Sequence, residues 1–155
     1  MFSPRSMKNF RKDLFNRHNL RNADNTDQFE YNCAGFALGT FSWYCPSHTG
    51  DVWGWRDWDM DYMEELTKEC VEIMLNDFAD LRVIADMNEL GVGEYAIAFR
   101  VSSDGDFHYI RQMFYGTWKH KTGCGDIYEM SQEEVFTAEW CGRYDGPIVL
   151  FAKKF

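Results

Sequence analysis

The stretch Glu30–Gly39, EYNCAGFALG, places one cysteine between a polar segment and a run of small and apolar residues. The preceding RNADNTDQ is typical of a loop, whereas CAGFALGTFSWYC predicts a buried helix that is stopped by Pro46. Cys33 therefore begins the predicted helix. A helix N-terminus lowers the pKa of a cysteine thiol through its unpaired N–H groups and its dipole. Burial as an inert core residue is the competing interpretation, since free cysteine is among the most buried residue types.

The first turn of this helix has small side chains. Ala34 and Gly35 follow Cys33, and we expect them to leave the turn uncrowded, so that a substrate carbonyl can approach the thiol. The backbone N–H of Cys33 would then point at the oxyanion that develops during attack on that carbonyl.

Helices precede strands along the chain. Residues 59–78 show the clearest helical period, with apolar side chains on one face and charged ones on the other. Short β-branched or aromatic segments follow and predict strands: LRVIA, EYAIAFRV, DFHYIRQMF, GTWKHKT and GPIVLFAKK. Ser131 and Glu134 form a capping box for a short helix before the last strand. The sequence thus predicts an α+β fold in which the Cys33 helix packs on an antiparallel sheet.

The chain is expected to form one domain over residues 1–155, which is long enough to bury a hydrophobic core. Residues 1–22 are predicted to form a basic N-terminal helix or arm, and residues 30–155 the core. A Trp-rich loop over 46–58 either packs in that core or lines a substrate groove. The formal net charge of −9 argues against nucleic acid as the main partner, because an acidic body repels phosphates.

The five cysteines are an odd number without a Cys-x-x-Cys pair, and they fit neither a disulfide framework nor a zinc site. No apolar run approaches the length of a membrane span, and the N-terminus has no apolar signal region. We therefore expect a cytoplasmic protein in a reducing compartment, without a metal, cofactor or membrane partner.

Release of the protein from the cytoplasm by lysis or by a secretion machine is the alternative. The sequence does not indicate an oligomeric state.

Two of the four histidines lie in the predicted strand pair DFHYIRQMFYGTWKHKTG. A connection of three or five residues would place His108 and His120 on one face of the sheet, whereas a two-residue loop would separate them. On one face, His120 can hydrogen-bond one ring nitrogen of His108 and leave the other for the Cys33 thiol. That arrangement follows the logic of a catalytic triad. Asp106 shares the strand face of His108 and is the alternative orienting residue.

These motifs resemble those of the NlpC-type branch of the papain-like cysteine peptidases. That family has a D-C-S-G-F helix start, a P-G-D strand, an H-V-G-I-Y strand and a second polar residue, often histidine, about a dozen positions later. This chain has NCAGF at 32–36, GVGEYAIAFR at 91–100 and HYIRQ at 108–112, and His120 follows His108 by twelve residues. The resemblance implies a papain-like fold.

The chain departs from the family pattern at three places. Asn32 replaces the usual aspartate, and Tyr109 and Ile110 replace the small residues that follow the histidine. The upstream segment whose tyrosine helps to form the oxyanion site is missing. Tyr31 or Gln28 are the candidates to replace that tyrosine.

By this resemblance Cys33 is the nucleophile, His108 the general base and His120 the residue that orients the base. The implied reaction is hydrolysis of an amide bond through a thioester acyl-enzyme, in a peptide, an isopeptide or a peptidoglycan stem peptide. Transfer to an amine is the alternative to hydrolysis. The competing function is a non-catalytic binding protein that retains the fold. We expect the Cys33 sulfur about 3–4 Å from a His108 ring nitrogen, with both histidines facing the Cys33 helix.

Overall fold

The computed structural model describes residues 30–47, 60–113, 116–123 and 125–155. The predicted basic arm over 1–22 and all but the first two residues of the predicted Trp-rich loop lie outside these ranges. Within them, the helices are α1 (Cys33–Leu38), α2 (Met60–Asp77) and α3 (Gln132–Val135), with a 3₁₀ turn over Met87–Glu89. The strands are β1 (Leu81–Ile84), β2 (Glu94–Val101), β3 (Phe107–Gln112), β4 (Trp118–Lys121), β5 (Ile127–Met130) and β6 (Val149–Lys154).

The six strands form one antiparallel sheet in the order β1-β6-β2-β3-β4-β5. This confirms the predicted α+β arrangement with an antiparallel sheet. All eight residues of the central strand β2 are buried, because side chains cover both faces of the sheet. The sequence prediction missed β5. It is a short edge strand with an exposed centre, so it lacks the apolar alternation of its neighbours.

Two separate apolar layers cover the sheet. Because successive side chains of a strand point to opposite faces, Phe99 and Tyr109 pack with α1 and α2 on one side. On the other side, Ala98 and Ile110 pack with Trp140 of the segment that follows α3. None of the helices in the described ranges combines the length and the apolar character needed to cross a membrane.

The start of α1 is fixed by Asn32, whose side-chain oxygen accepts a hydrogen bond from the Gly35 N–H at 3.0 Å. This is an N-cap role, for which Asn and Asp are both preferred. The predicted helix start at Cys33 is confirmed. The predicted extension toward Pro46 is wrong, because Gly39 ends the helix with a left-handed φ of 73°.

After α1 the chain folds back onto the first turn of the helix. The Phe41 N–H donates to the Gly35 carbonyl at 3.1 Å. A Cβ atom at Gly35 would lie 1.9 Å from the backbone carbonyl oxygen of Ser42. The expected uncrowded turn is therefore wrong at Gly35, where the glycine is needed for close backbone packing.

The β3–β4 hairpin has the predicted odd connection. Five residues separate the two strands, and Arg111 pairs with Lys119. In this register His108 and His120 are diagonal neighbours on the same face of the sheet. That face is the one opposite α1, because Phe107 on the same strand packs in the α1 layer. The expectation that both histidines face the Cys33 helix is wrong.

Candidate active site

The two predicted histidines form a buried hydrogen-bonded pair. His108 Nε2 lies 2.8 Å from His120 Nδ1, and the two rings are nearly perpendicular, at 89°. Both side chains are buried. The predicted hydrogen bond from His120 to one ring nitrogen of His108 is confirmed. It leaves His108 Nδ1 as the nitrogen available to another group.

A cavity of about 600 Å³ lies at the end of the sheet where α1 and β3 begin and β4 ends. Cys33 and His108 both line it, so the structure brings two of the three predicted residues to one cavity. His120 is not among the described residues that line the cavity, but it is hydrogen-bonded to His108. In the described part of the chain, no hydrogen bond joins the Cys33 sulfur to the His108 ring. Among the described residues, those that line the cavity are Asn32, Cys33, Trp43, Cys45, Asp106, Phe107, His108, Thr122, Gly123, Cys141, Arg143 and Tyr144.

The thiol of Cys33 is buried, with 5% of the residue exposed. This burial raises the pKa of Cys33 to about 12, although a hydrogen bond from the Tyr109 backbone N–H opposes the rise. The carboxylate of Asp106 contributes to this raised pKa, whereas the Ala34 N–H and the Lys121 ammonium oppose it. The expectation that the helix start lowers this pKa is therefore wrong, because removal from water outweighs the N–H groups of a short helix. Cys33 is a neutral thiol at pH 7.

The imidazole of His108 is also neutral at pH 7. Burial, with smaller contributions from the neighbouring His120 and Arg143, lowers the pKa of His108 to about 3. Burial also lowers the pKa of His120, whereas the Glu134 carboxylate raises it. A neutral imidazole carries a free lone pair, so His108 is in the protonation state of a general base.

Asp106, the alternative orienting residue, is engaged elsewhere. Its carboxylate receives Arg143 Nη1 at 3.0 Å and the Tyr144 hydroxyl at 3.3 Å. It also accepts the Phe107 N–H at 2.8 Å. Of the two candidates, His120 is therefore the one that contacts His108.

Sequence reasoning missed Tyr144, whose ring stacks on His108 with centroids 5.0 Å apart and planes 20° apart. Trp140 contacts His108 edge-on at 6.2 Å. Both lie in a short turn, in which Cys141 and Gly142 have φ values of 56° and 64° and Arg143 N–H donates to the Trp140 carbonyl at 3.0 Å. Two consecutive positive φ values mark a type I′ turn, for which Cys-Gly is an unusual sequence.

Of the two candidates to replace the missing oxyanion tyrosine, Tyr31 does not line the described cavity. Gln28 lies outside the described residues. Tyr31 is buried in a separate cluster, where its ring contacts Phe41 edge-on at 5.5 Å and Lys121 Nζ lies 5.0 Å from its centroid. Tyr31 is therefore a packing residue.

The resemblance to the NlpC-type peptidases rests on the quoted motifs and on the order Cys33, His108, His120. The fold agrees with that resemblance at the level of an α+β arrangement with an antiparallel sheet. Compared with protein-family models, with curated proteins and with solved structures, the chain has no match.

Proposed function

We propose that the protein is a cysteine hydrolase that cleaves an amide bond through a thioester intermediate. One observation carries the proposal: a buried thiol, Cys33, and a neutral imidazole, His108, line the same cavity. The Nε2 atom of His108 is hydrogen-bonded to His120, which leaves the Nδ1 atom of His108 for the thiol proton. A nucleophile, a base and an orienting residue are the groups that thiol catalysis needs.

In this mechanism the Cys33 S–H proton passes to His108 Nδ1 as the sulfur forms a bond to the substrate carbonyl carbon. The tetrahedral intermediate collapses with cleavage of the C–N bond, and His108 returns the proton to the leaving amine. Water then attacks the thioester, His108 takes one of its protons, and the Cys33 thiol is released with the carboxylic acid.

The mechanism requires one of the two tautomers that the His108–His120 hydrogen bond allows. For His108 Nδ1 to accept a proton, the His108 ring must carry its own proton on Nε2. That N–H then donates to His120 Nδ1, which lies 2.8 Å away. Tyr144 stacks on the same ring and restrains its plane. The base is thus oriented by one hydrogen bond and one aromatic contact.

The electrostatics favour proton transfer during attack over a preformed ion pair. The pKa of Cys33 is raised to about 12 and that of His108 is lowered to about 3, both chiefly by burial. The proton therefore rests on sulfur until the substrate carbonyl draws electrons from it. The mechanism therefore starts from a neutral thiol and a neutral imidazole, and it requires their two pKa values to approach each other when substrate binds.

The proposed substrate class is a peptide or isopeptide amide. A cavity of about 600 Å³ lies within the range of pockets that bind small ligands and short peptide segments. A peptidoglycan stem peptide belongs to the same class, and its proposal rests on the motif resemblance alone.

A non-catalytic binding protein is the second candidate function. It is favoured by the raised pKa of Cys33 and by the lack of a hydrogen bond between Cys33 and His108 within the described residues. In that case the cavity binds a ligand and Cys33 serves only as a buried packing residue.

Site-resolved alkylation decides between the two candidates. Iodoacetamide labelling, read by peptide mass spectrometry, should modify Cys33 faster in the wild type than in His108→Ala. Cys45 lines the same cavity and serves as the internal control, whose labelling should not change. Equal Cys33 labelling in both proteins, with both folded, would exclude His108 as its base.

A further inference from the structure

Three metal-ligating side chains meet beside the cavity, and two of them, His108 and Cys141, line it. One ring nitrogen of His108, one of His120 and the sulfur of Cys141 all lie within 4.8 Å of one another. The two histidines are buried, and Cys141 is exposed at the cavity. The three residues come from β3, β4 and the turn after α3, so no short sequence spacing reveals the group.

We propose that His108, His120 and Cys141 bind a divalent transition-metal ion of the zinc class, with a fourth coordination position open to the cavity. Imidazole nitrogen and thiolate sulfur are the ligands that zinc prefers, and magnesium and calcium prefer oxygen. Three protein ligands with one open position is the usual arrangement where zinc binds an exchangeable molecule.

The distances fit such an ion after small movements. Zinc lies about 2.0–2.1 Å from nitrogen and about 2.3 Å from sulfur, so tetrahedral ligand atoms are separated by roughly 3.3–3.6 Å. The three ligand atoms lie within 4.8 Å of one another. The histidine rings already approach to 2.8 Å at their hydrogen bond, and coordination would replace that bond.

The turn that carries Cys141 holds its side chain at this position. Cys141 has a φ of 56°, which a non-glycine residue rarely adopts, and Gly142 follows with 64°. The hydrogen bond from the Arg143 N–H to the Trp140 carbonyl closes the turn at 3.0 Å. An uncommon backbone conformation beside two buried histidines is a feature often found at functional sites.

The neighbouring charges admit a cation. Arg143 lies beside the histidines, but its guanidinium is paired with Asp104 at 2.7 Å and with Asp106 at 3.0 Å. Two carboxylates and one guanidinium carry a formal charge of −1. The Cys141 thiolate that forms on coordination adds a second negative charge, which matches a divalent ion.

Titration of metal-free, reduced protein with CoCl₂ tests the site. Tetrahedral Co²⁺ absorbs in the visible range, and a thiolate ligand adds a charge-transfer band in the near ultraviolet. We expect both features to saturate at one Co²⁺ per chain and to disappear on addition of ZnCl₂. Cys141→Ser should lose the charge-transfer band and weaken binding about tenfold or more. Cys45→Ser, at the same cavity, should leave the spectrum unchanged.

The proposal is overturned if the wild type shows no saturable Co²⁺ absorption, or if the charge-transfer band persists in Cys141→Ser. Because Cys141 is exposed, this variant should fold like the wild type. His120→Gln should also weaken binding, and its melting temperature verifies that it folds. Because a metal-bound His108 cannot accept the Cys33 proton, the alkylation test of the proposed hydrolase is made on metal-free protein, where either proposal can fail alone.

Discussion

Tyr144 stacks on His108, with ring centroids 5.0 Å apart and planes 20° apart. The Tyr144 hydroxyl also donates to Asp106 at 3.3 Å, so the stacked ring is held at its far end. His120 bonds the edge of the same imidazole. His108 is therefore restrained on one face and at one edge, which leaves its remaining nitrogen in a defined direction.

Substitution at Tyr144 should separate stacking from hydrogen bonding. Tyr144→Phe keeps the ring and should leave Cys33 alkylation within about twofold of wild type, because the stack is preserved. Tyr144→Ala removes the ring and should slow Cys33 alkylation more than Tyr144→Phe does, with a stability loss of about 1 kcal/mol or more. Peptide-resolved labelling and thermal unfolding measure the two effects. Equal labelling rates in the two variants would show that the stack does not orient His108.

The alkylation rate of Cys33 should depend on pH up to high values. Because burial raises the pKa of this thiol from 9.0 to about 12, the thiolate fraction should grow about tenfold per pH unit through pH 7–11. An exposed cysteine levels off near its ordinary pKa. Because the native state holds this proton more tightly than the unfolded state does, the free energy of unfolding should fall as the pH rises from 9 to 12. A Cys33 labelling rate that levels off below pH 8 would instead demonstrate a thiolate–imidazolium pair.

Gly35→Ala should destabilise the protein. The added methyl group would lie 1.9 Å from the Ser42 carbonyl oxygen, which is backbone and moves only with the chain. Overpacking of this kind costs about 1–3 kcal/mol, and here it should also displace the start of α1. Urea unfolding measures the loss. A midpoint equal to that of the wild type would show that the close approach of residue 42 is not maintained in solution.

The proposed triad makes an ordered prediction for three variants. Cys33→Ala should abolish turnover of an amide substrate, and His108→Ala should lower it by about 10²–10⁴-fold, because the thiol loses its base. His120→Ala should cost less, since it removes only a hydrogen bond to the base. The losses should be far from additive in double variants. A protein in which Cys33→Ala lowers the melting temperature yet retains ligand binding would fit the non-catalytic alternative.

The elements near the site were predictable because local signals set them. Asn32 and Cys33 mark the helix start. Side chains of a strand alternate between the two faces of the sheet, so His108 and His120, twelve residues apart, share a face only if an odd number of residues connects β3 to β4. The alternation of side chains along a strand does not determine which face of the sheet packs against α1. Phe107 and Tyr109 are more apolar than His108 between them, and they occupy the face that packs against α1. The histidines therefore point away from α1.

The remaining features depend on contacts that are distant in the sequence. The pKa of Cys33 is set by burial beneath several segments. The turn at Cys141 has no apolar alternation and no Asn-Gly or Asp-Gly pair to mark it. Its position beside His108 depends on how the segment after α3 returns over the sheet. Such long-range placement is not encoded in a local pattern.

The two layers on either side of the sheet give the cavity two independent supports. Cys33 is anchored in the layer that contains α1 and α2, whereas His108 contacts Trp140 in the opposite layer. A substitution that repacks only one layer would shift one side of the cavity against the other without removing any side chain that lines it. Variation confined to either layer can therefore change the shape of the cavity while the chain keeps its fold.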